Sequence, residues 1–361
     1  MNSFPENPSR RTFLKSGAAA TAAAFSAPYL LLAKKTPEAN PIVGEGEFQY
    51  QCHHDWATLP DDHDWGGASH GVAVDSDGLV YITHHGSPGS LFVFEPSGKF
   101  VRSLAPEHRV GERAFGHGID IRSEDGTDYL YLAPNNPTLG FAKYKTDGEQ
   151  VWSKNRPEEC PAYESPKARF VPTNTCFSPD GGFFLGDGYG SHFIHRYDAD
   201  ANYVSSFGGE GEGAGQFQTP HGHWLDERDG TPKIVVADRA NARLQYVDLE
   251  GNHLSFIDDL LFPADVDIQN DIMLVPDLHA RISLFDKNNN VITHLGDDPN
   301  WREQVLERPA SGKGFKMRAN PAAWQPGKFI HPHDACFDHA GNIYVVEWVS
   351  GGRVTKLERL L

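Results

Sequence analysis

Cysteine, basic charge and long apolar runs are all scarce in this chain, and each shortage removes a class of protein. Four cysteines, Cys52, Cys160, Cys176 and Cys336, are too few for a disulfide framework in 361 residues. One or two bridges remain compatible with an oxidising compartment, and the spacing does not set their pairing. Lysine and arginine number 32 against 49 aspartates and glutamates, a formal charge of −17. The segment Met1–Lys35 carries five basic residues and one acidic one, so removing its +4 leaves the remainder near −21. Such a surface repels phosphate backbones and anionic lipid, which argues against nucleic acid and membrane surfaces as partners. The stretch Gly17–Ala33 is too short and too rich in alanine to hold a membrane well. No membrane span is expected in the mature chain.

What precedes that stretch is specific. "SRRTFLK", Ser9 to Lys15, places paired Arg10 and Arg11 before Phe13 and Leu14 and ahead of the apolar run. This is the pattern of a twin-arginine export signal. Residues 1–35 are therefore read as a signal and 36–361 as the working domain, periplasmic or secreted, with the twin-arginine export machinery as a partner. Cleavage after "FSA" or "LLA" and retention as an uncleaved anchor both stay open. The pathway carries folded proteins, often with a cofactor loaded.

Beyond the signal, two kinds of turn alternate between short β-rich runs. "VDSDGLVYI" (from Val74), "FSPDGGFFL" (Phe177) and "FDHAGNIYVV" (Phe337) exemplify the first; "EPSGKF" (Glu95), "DADANY" (Asp198) and "DLEGNH" (Asp248) exemplify the second. Asp-Gly and Asn-rich pairs between β-branched and aromatic runs are hairpin chemistry, so each unit is a four-stranded antiparallel meander. Units begin near His70, His117, Thr173, His221, Ala264 and His333, 43 to 69 residues apart. Six such units predict an all-β, six-bladed β-propeller. The chain ends one strand short of a sixth blade, and Gly46–His54, with Phe48, Tyr50 and Cys52 alternating, is expected to dock as its outer strand and close the ring. The long step before His333 contains an insertion, residues 297–329, expected to lie over one face with a helical turn around Arg302–Glu307. A monomer is expected.

In a meander, starts of first strands and ends of second strands share a face. That face collects His70, His117, His221 and His333 at equivalent repeat positions, with His85, Tyr189, Arg239 and Trp348 from second-strand ends. Imidazoles on separate rigid strands around a channel form a metal site in outline, and zinc with an open position is the catalytic arrangement. Asp334 could act as a base, support a ligand or bind a structural calcium. Tyr189, flanked by glycines, could act as general base, and Arg239 could grip a carboxylate. Asp187, Asp238 and Asp277 recur at one repeat position and read as loop braces, as does Arg243.

"GQFQTPHGHWLDERDGTPKIVVADRANARLQYVD" and "HPHDACFDHAGNIYVVEW" resemble NHL-repeat propellers, and more narrowly the peptidyl-α-hydroxyglycine α-amidating lyases. The resemblance implies a catalytic zinc on His117, His221 and His333, a structural calcium, a catalytic tyrosine at Tyr189, an aspartate at Asp334 and a substrate arginine at Arg239. The implied reaction cleaves a hydroxyglycine C–N bond to give an amide and glyoxylate, with a peptide or small molecule as substrate. Three positions depart from that pattern: His85 stands where the family has a catalytic arginine, His70 adds a fourth imidazole, and His331 replaces a methionine. A non-catalytic propeller that binds a peptide, sugar or protein on the same face is the alternative, and a lactonase-like hydrolase a third.

Overall fold

The computed structural model describes residues 40–360; the expected export signal lies outside the described residues. Six antiparallel sheets follow one another along the chain as the blades of a propeller. Blades 1 to 5 begin with the strands Ser69–Val74, Gly118–Glu124, Thr175–Phe177, Pro220–Asp226 and Asp267–Gln269, and blade 6 with Pro332–Phe337. Each of these starts lies within three residues of the position read from the repeat.

The repeat explains why the blades form. In the outer turn of blade 3, Asp198 Oδ1 accepts from the N–H groups of Asp200 and Asn202 at 3.0 and 2.8 Å, and the Asn202 side chain returns a bond to Asp198 Oδ2. The same bracket recurs at Asp248 with Asn252, at Asp286 with Asn290 and at Asp338 with Asn342. A carboxylate that satisfies two turn amides presets the reversal. Alternating apolar residues then pack blade against blade, so that Leu274, Ile282 and Leu284 of blade 5 share a core with Ala335, Ile343 and Val345 of blade 6.

Ring closure follows the expected route. Phe48–His53 pairs antiparallel with Arg353–Arg359, setting Tyr50 against Arg359 and Cys52 against Leu357. Blade 6 has a fifth strand that the sequence reading did not include: Ile42–Glu45 folds back on Phe48–His53 through Gly46, whose φ of +56° suits glycine. This outermost strand covers the edge that the closing strand would otherwise expose.

The insertion begins with a helix at Pro299–Val305, earlier than expected. Asp298 accepts from the N–H groups of Asn300 and Trp301, and Pro299 occupies the first turn, so the cap sets the start. Trp301, 2% exposed, buries against Val305, Met317 and Ile330 and holds the insertion to the ring. All four cysteines are free. Among the described residues no helix is long and apolar enough to cross a membrane.

Candidate metal centre and substrate cavity

Four histidines converge at the hub because of how the innermost strands begin. In blades 1, 4 and 6 the pairing of first and second strand shifts register between Ser69 and Val72, Pro220 and His223, and Pro332 and Asp334. His70, His221 and His333 sit inside these irregularities, which turn a side chain out of the ladder and toward the axis. His117 immediately precedes the first strand of blade 2. The glycine that follows a hub histidine lies against the next blade. A Cβ on Gly71 would stand 2.2 Å from the His117 carbonyl oxygen, and one on Gly118 would stand 2.2 Å from that of Thr173.

Three of the four imidazoles are anchored in the same way. Nδ1 of His117 lies 2.8 Å from the carbonyl oxygen of Thr173, Nδ1 of His221 lies 2.6 Å from that of Ala264, and Nδ1 of His333 lies 2.9 Å from that of His70. Histidines of blades 2, 4 and 6 thus donate to the equivalent position of blades 3, 5 and 1. A donated Nδ1–H sets the tautomer and leaves the lone pair on Nε2, the arrangement a metal ligand needs. Burial pushes the His117 proton affinity down to about 3 and holds His221 and His333 far below the usual imidazole range, so all three are neutral.

His70 differs. Its ring is 2% exposed, neither nitrogen has a partner, and its centroid lies 5.0 Å from His117 and 4.5 Å from His333. Ligand atoms of His70, His117 and His333 all fall within 4.8 Å of one another, so this triad could hold a metal ion. His221 flanks the same pair from the other side, with centroids 4.9 Å from His117 and 4.7 Å from His333. A buried imidazole with two unpaired nitrogens is costly, and a bound cation would relieve that cost at one of them.

Above the histidines lies a cavity of about 660 Å³ lined by His70, His85, His333, Tyr189, Arg239 and Trp348 among others. The Tyr189 hydroxyl sits 2.9 Å from His221 Nε2 and 3.3 Å from His117 Nε2, and receives a bond from Arg239 Nη1 at 3.2 Å. The structure therefore brings Tyr189, Arg239 and His85 into one cavity with His70 and His333. His85 packs 4.1 Å from His70, ring to ring, and its affinity for a proton falls to about 4 through burial and then through Arg113 and Arg318. His331 is held behind two lining residues, with Nδ1 2.7 Å from the Leu278 carbonyl oxygen and its ring 5.7 Å from Trp348.

Asp334 points elsewhere. Its carboxylate accepts from the Val72 N–H at 2.9 Å and lines a small space of about 100 Å³ with Asp120, Asp265 and Asp267. Asn174 donates to Asp265 at 2.9 Å, while its own Oδ1 is buried without a partner. Burial raises all four carboxyl groups, Asp265 to about 7 and Asp267 to about 6; Asp120 and Asp334 are also raised by neighbouring carboxylates. An all-oxygen donor set of this kind suits a hard cation.

The braces hold the loops that carry the site. Asp187 accepts from Val171 N–H, Ser191 N–H and the Tyr163 hydroxyl, and Asp277 from the N–H groups of Leu261, Phe262 and His279. Asp238 accepts from Gln218 N–H and from Arg243. Glu347 fills the same post in blade 6, accepting from Ile330 N–H at 2.6 Å.

Two cavity residues escaped the sequence reading. Arg318 comes from the insertion, and Arg113 from a two-residue strand, Arg113–Ala114, between blades 1 and 2. Neither occupies a repeat position, so periodicity could not find them. A larger groove of about 880 Å³ beside Trp56, Trp65 and Trp324 shares no lining residue with this cavity.

Fold and hub define a six-bladed propeller with a histidine-ringed channel. Residues 7–27 match the family of twin-arginine translocation pathway signal sequences, which indicates export across the membrane to the periplasm or beyond. A search of curated proteins by sequence finds no match. Among solved structures, virginiamycin B lyase from Staphylococcus aureus is similar at 14% identity and a TM-score of 0.53, covering 86% of this chain and all of that one. A streptogramin B lyase aligns at 12% identity and a TM-score of 0.52, over 89% of this chain and 99% of that one. A protein of unknown function from Bacteroides thetaiotaomicron aligns at 11% identity and a TM-score of 0.57, over 85% of this chain and 76% of that one. At these identities the likeness is one of fold.

Proposed function

We propose that the protein is an exported zinc-dependent lyase that cleaves the N–Cα bond of an N-acyl-α-hydroxyglycine such as a peptidyl-α-hydroxyglycine, releasing an amide and glyoxylate. The observation that carries this reading is the set of Nδ1 anchors, which leaves three neutral Nε2 lone pairs facing one channel beside the Tyr189 hydroxyl. His117, His221 and His333, the set that the resemblance implies, are the proposed ligands, and His70, whose ligand atom groups with those of His117 and His333, is a fourth candidate. An all-nitrogen set from rigid strands suits zinc. Zinc bound there would supply Lewis acidity to a substrate oxygen.

The chain's own groups do the rest. Arg239 binds the substrate carboxylate through the N–H groups not directed at Tyr189, because a guanidinium matches a carboxylate edge to edge. Tyr189, beside the Arg239 guanidinium, takes the proton of the α-hydroxyl as general base. As the carbonyl of glyoxylate forms, the C–N bond breaks with its electron pair on nitrogen, and the proton passes from Tyr189 to that nitrogen. Atoms and charge balance without an external reagent.

Of the parts open to Asp334, base, support of a ligand or calcium binding, its contacts favour the last. Its orientation supports a structural role beneath the hub, where Asp120, Asp265, Asp267 and Asp334 with Asn174 Oδ1 would hold the calcium that the resemblance implies. That lyases of another specificity share this fold is compatible with elimination chemistry on a propeller face, and no more. Incubating the zinc-loaded protein with N-acetylated peptides that end in α-hydroxyglycine and assaying glyoxylate tests the reading. Metal present without any glyoxylate would return the face to the binding-module alternative.

A further inference from the structure

In a chain of formal charge −17, the substrate cavity is lined by three arginines, Arg113, Arg239 and Arg318, and by no carboxylate. Among the described residues none of the three makes an ion pair, whereas Arg122, Arg228, Arg243 and Arg353 each do. Each is instead stacked on an aromatic ring. The Arg318 guanidinium carbon lies 3.9 Å from the centroid of Trp348, that of Arg113 lies 4.8 Å from Phe115, and that of Arg239 lies 5.2 Å from Phe262. Stacking fixes the plane of a guanidinium and leaves its N–H edges for a ligand.

Arg318 is the most firmly placed. Its Nε donates to the Trp348 carbonyl at 3.1 Å and its Nη2 to the Gly67 carbonyl at 2.7 Å, which still leaves N–H groups unspent. Arg318, Arg113 and His85 line the same cavity, and His85 stands where the resembled lyases carry an arginine. Arg239 is directed at Tyr189. One carboxylate needs one such grip; the hydroxyglycine carboxylate takes Arg239, and two cations remain.

We propose that Arg318 and Arg113 form a second anion-binding subsite in the same cavity as Arg239, which selects peptidyl-hydroxyglycines bearing an additional acidic group, such as a peptide with glutamate before the hydroxyglycine. This rests on the lyase reading for the identity of the first anion, and it assigns the insertion the task of specificity.

Binding can be measured apart from turnover with peptides that lack the hydroxyl. Calorimetry of the metal-loaded protein with N-acetyl-Glu-Gly and N-acetyl-Gln-Gly should show the acidic peptide binding about tenfold more tightly, as one additional charge-assisted contact provides. Arg318→Gln and, separately, exposed Arg113→Gln should each shrink that preference several-fold while leaving the affinity for N-acetyl-Gln-Gly unchanged. Equal affinities for the two peptides, binding of neither, or a preference that survives both substitutions would overturn the proposal. A preserved preference with no glyoxylate release would sink only the lyase reading.

Discussion

Replacing Asp187 with alanine should loosen both the fold and the site, because one buried carboxylate holds the loop that carries Tyr189. Asp187 is 0% exposed and accepts four bonds: Val171 N–H, Ser191 N–H and Ser191 Oγ at 2.6 Å, and the Tyr163 hydroxyl at 2.7 Å. Bonds to an ionised acceptor contribute roughly 1.5–3 kcal/mol each, and stranded donors cost roughly 1–3 kcal/mol each, but a shared acceptor makes these strongly non-additive. Removal of one member of a buried network typically costs about 3–5 kcal/mol, a large part of a domain's margin of about 5–15 kcal/mol. Equilibrium urea unfolding of the metal-loaded protein should therefore show Asp187→Ala destabilised by about 3–5 kcal/mol, with Asp187→Asn between it and the parent. Tyr189 lies two residues further on, so turnover should fall in both variants even at temperatures where they are folded. An alanine variant within about 1 kcal/mol of the parent would refute the bracing argument, since the four donors would then have been satisfied elsewhere.

Tyr189→Phe should retain bound metal yet lose roughly 10²–10⁴-fold in glyoxylate release, the usual share of a general base; loss of metal along with activity would make the hydroxyl a structural group. The acidic channel predicts a pH effect whose sign is set by Asp265 and Asp267, raised by burial to about 7 and about 6. Their unfolded forms release protons near about 3.9, so between about pH 4 and 7 the native state holds more protons and these groups make stability fall as pH rises. Urea midpoints with chelator present should drop over that range, Asp267→Asn should flatten the slope, and calcium should restore the loss; pH-independent midpoints in the parent would contradict this. Changing Arg10 and Arg11 together to lysine should leave the protein in the cytoplasm when cells are fractionated, and continued export would point to a different signal.

Architecture was readable because it is periodic. A turn such as Asp198–Asn202 satisfies itself within five residues, and its recurrence at Asp248, Asp286 and Asp338 marks the blades without tertiary information. The hub histidines were readable for the same reason: equivalent places in successive repeats must meet at the axis. The braces Asp187, Asp238 and Asp277 also followed from recurrence, whereas Glu347 escaped because a longer side chain fills the same post. Ile42–Glu45 is too short to carry a pattern, and only its pairing register makes it a strand. Asp334 illustrates a different limit. Adjacency to His333 along a strand sends consecutive side chains in different directions, so the neighbour of a ligand need not share its cavity. Arg113 and Arg318 lay beyond sequence reasoning altogether, since a small hairpin and an insertion bring them in through tertiary packing.

The most direct test of the account is the metal content of the exported, purified protein by elemental analysis, compared with that of His221→Ala. The Nδ1-anchored set His117, His221 and His333 predicts close to one zinc per chain in the parent and a loss of metal affinity of at least roughly 10-fold to 100-fold in the variant. A parent free of zinc after refolding or loading with the ion, or a His221→Ala protein with undiminished metal, would contradict the claim that this hub is a zinc centre.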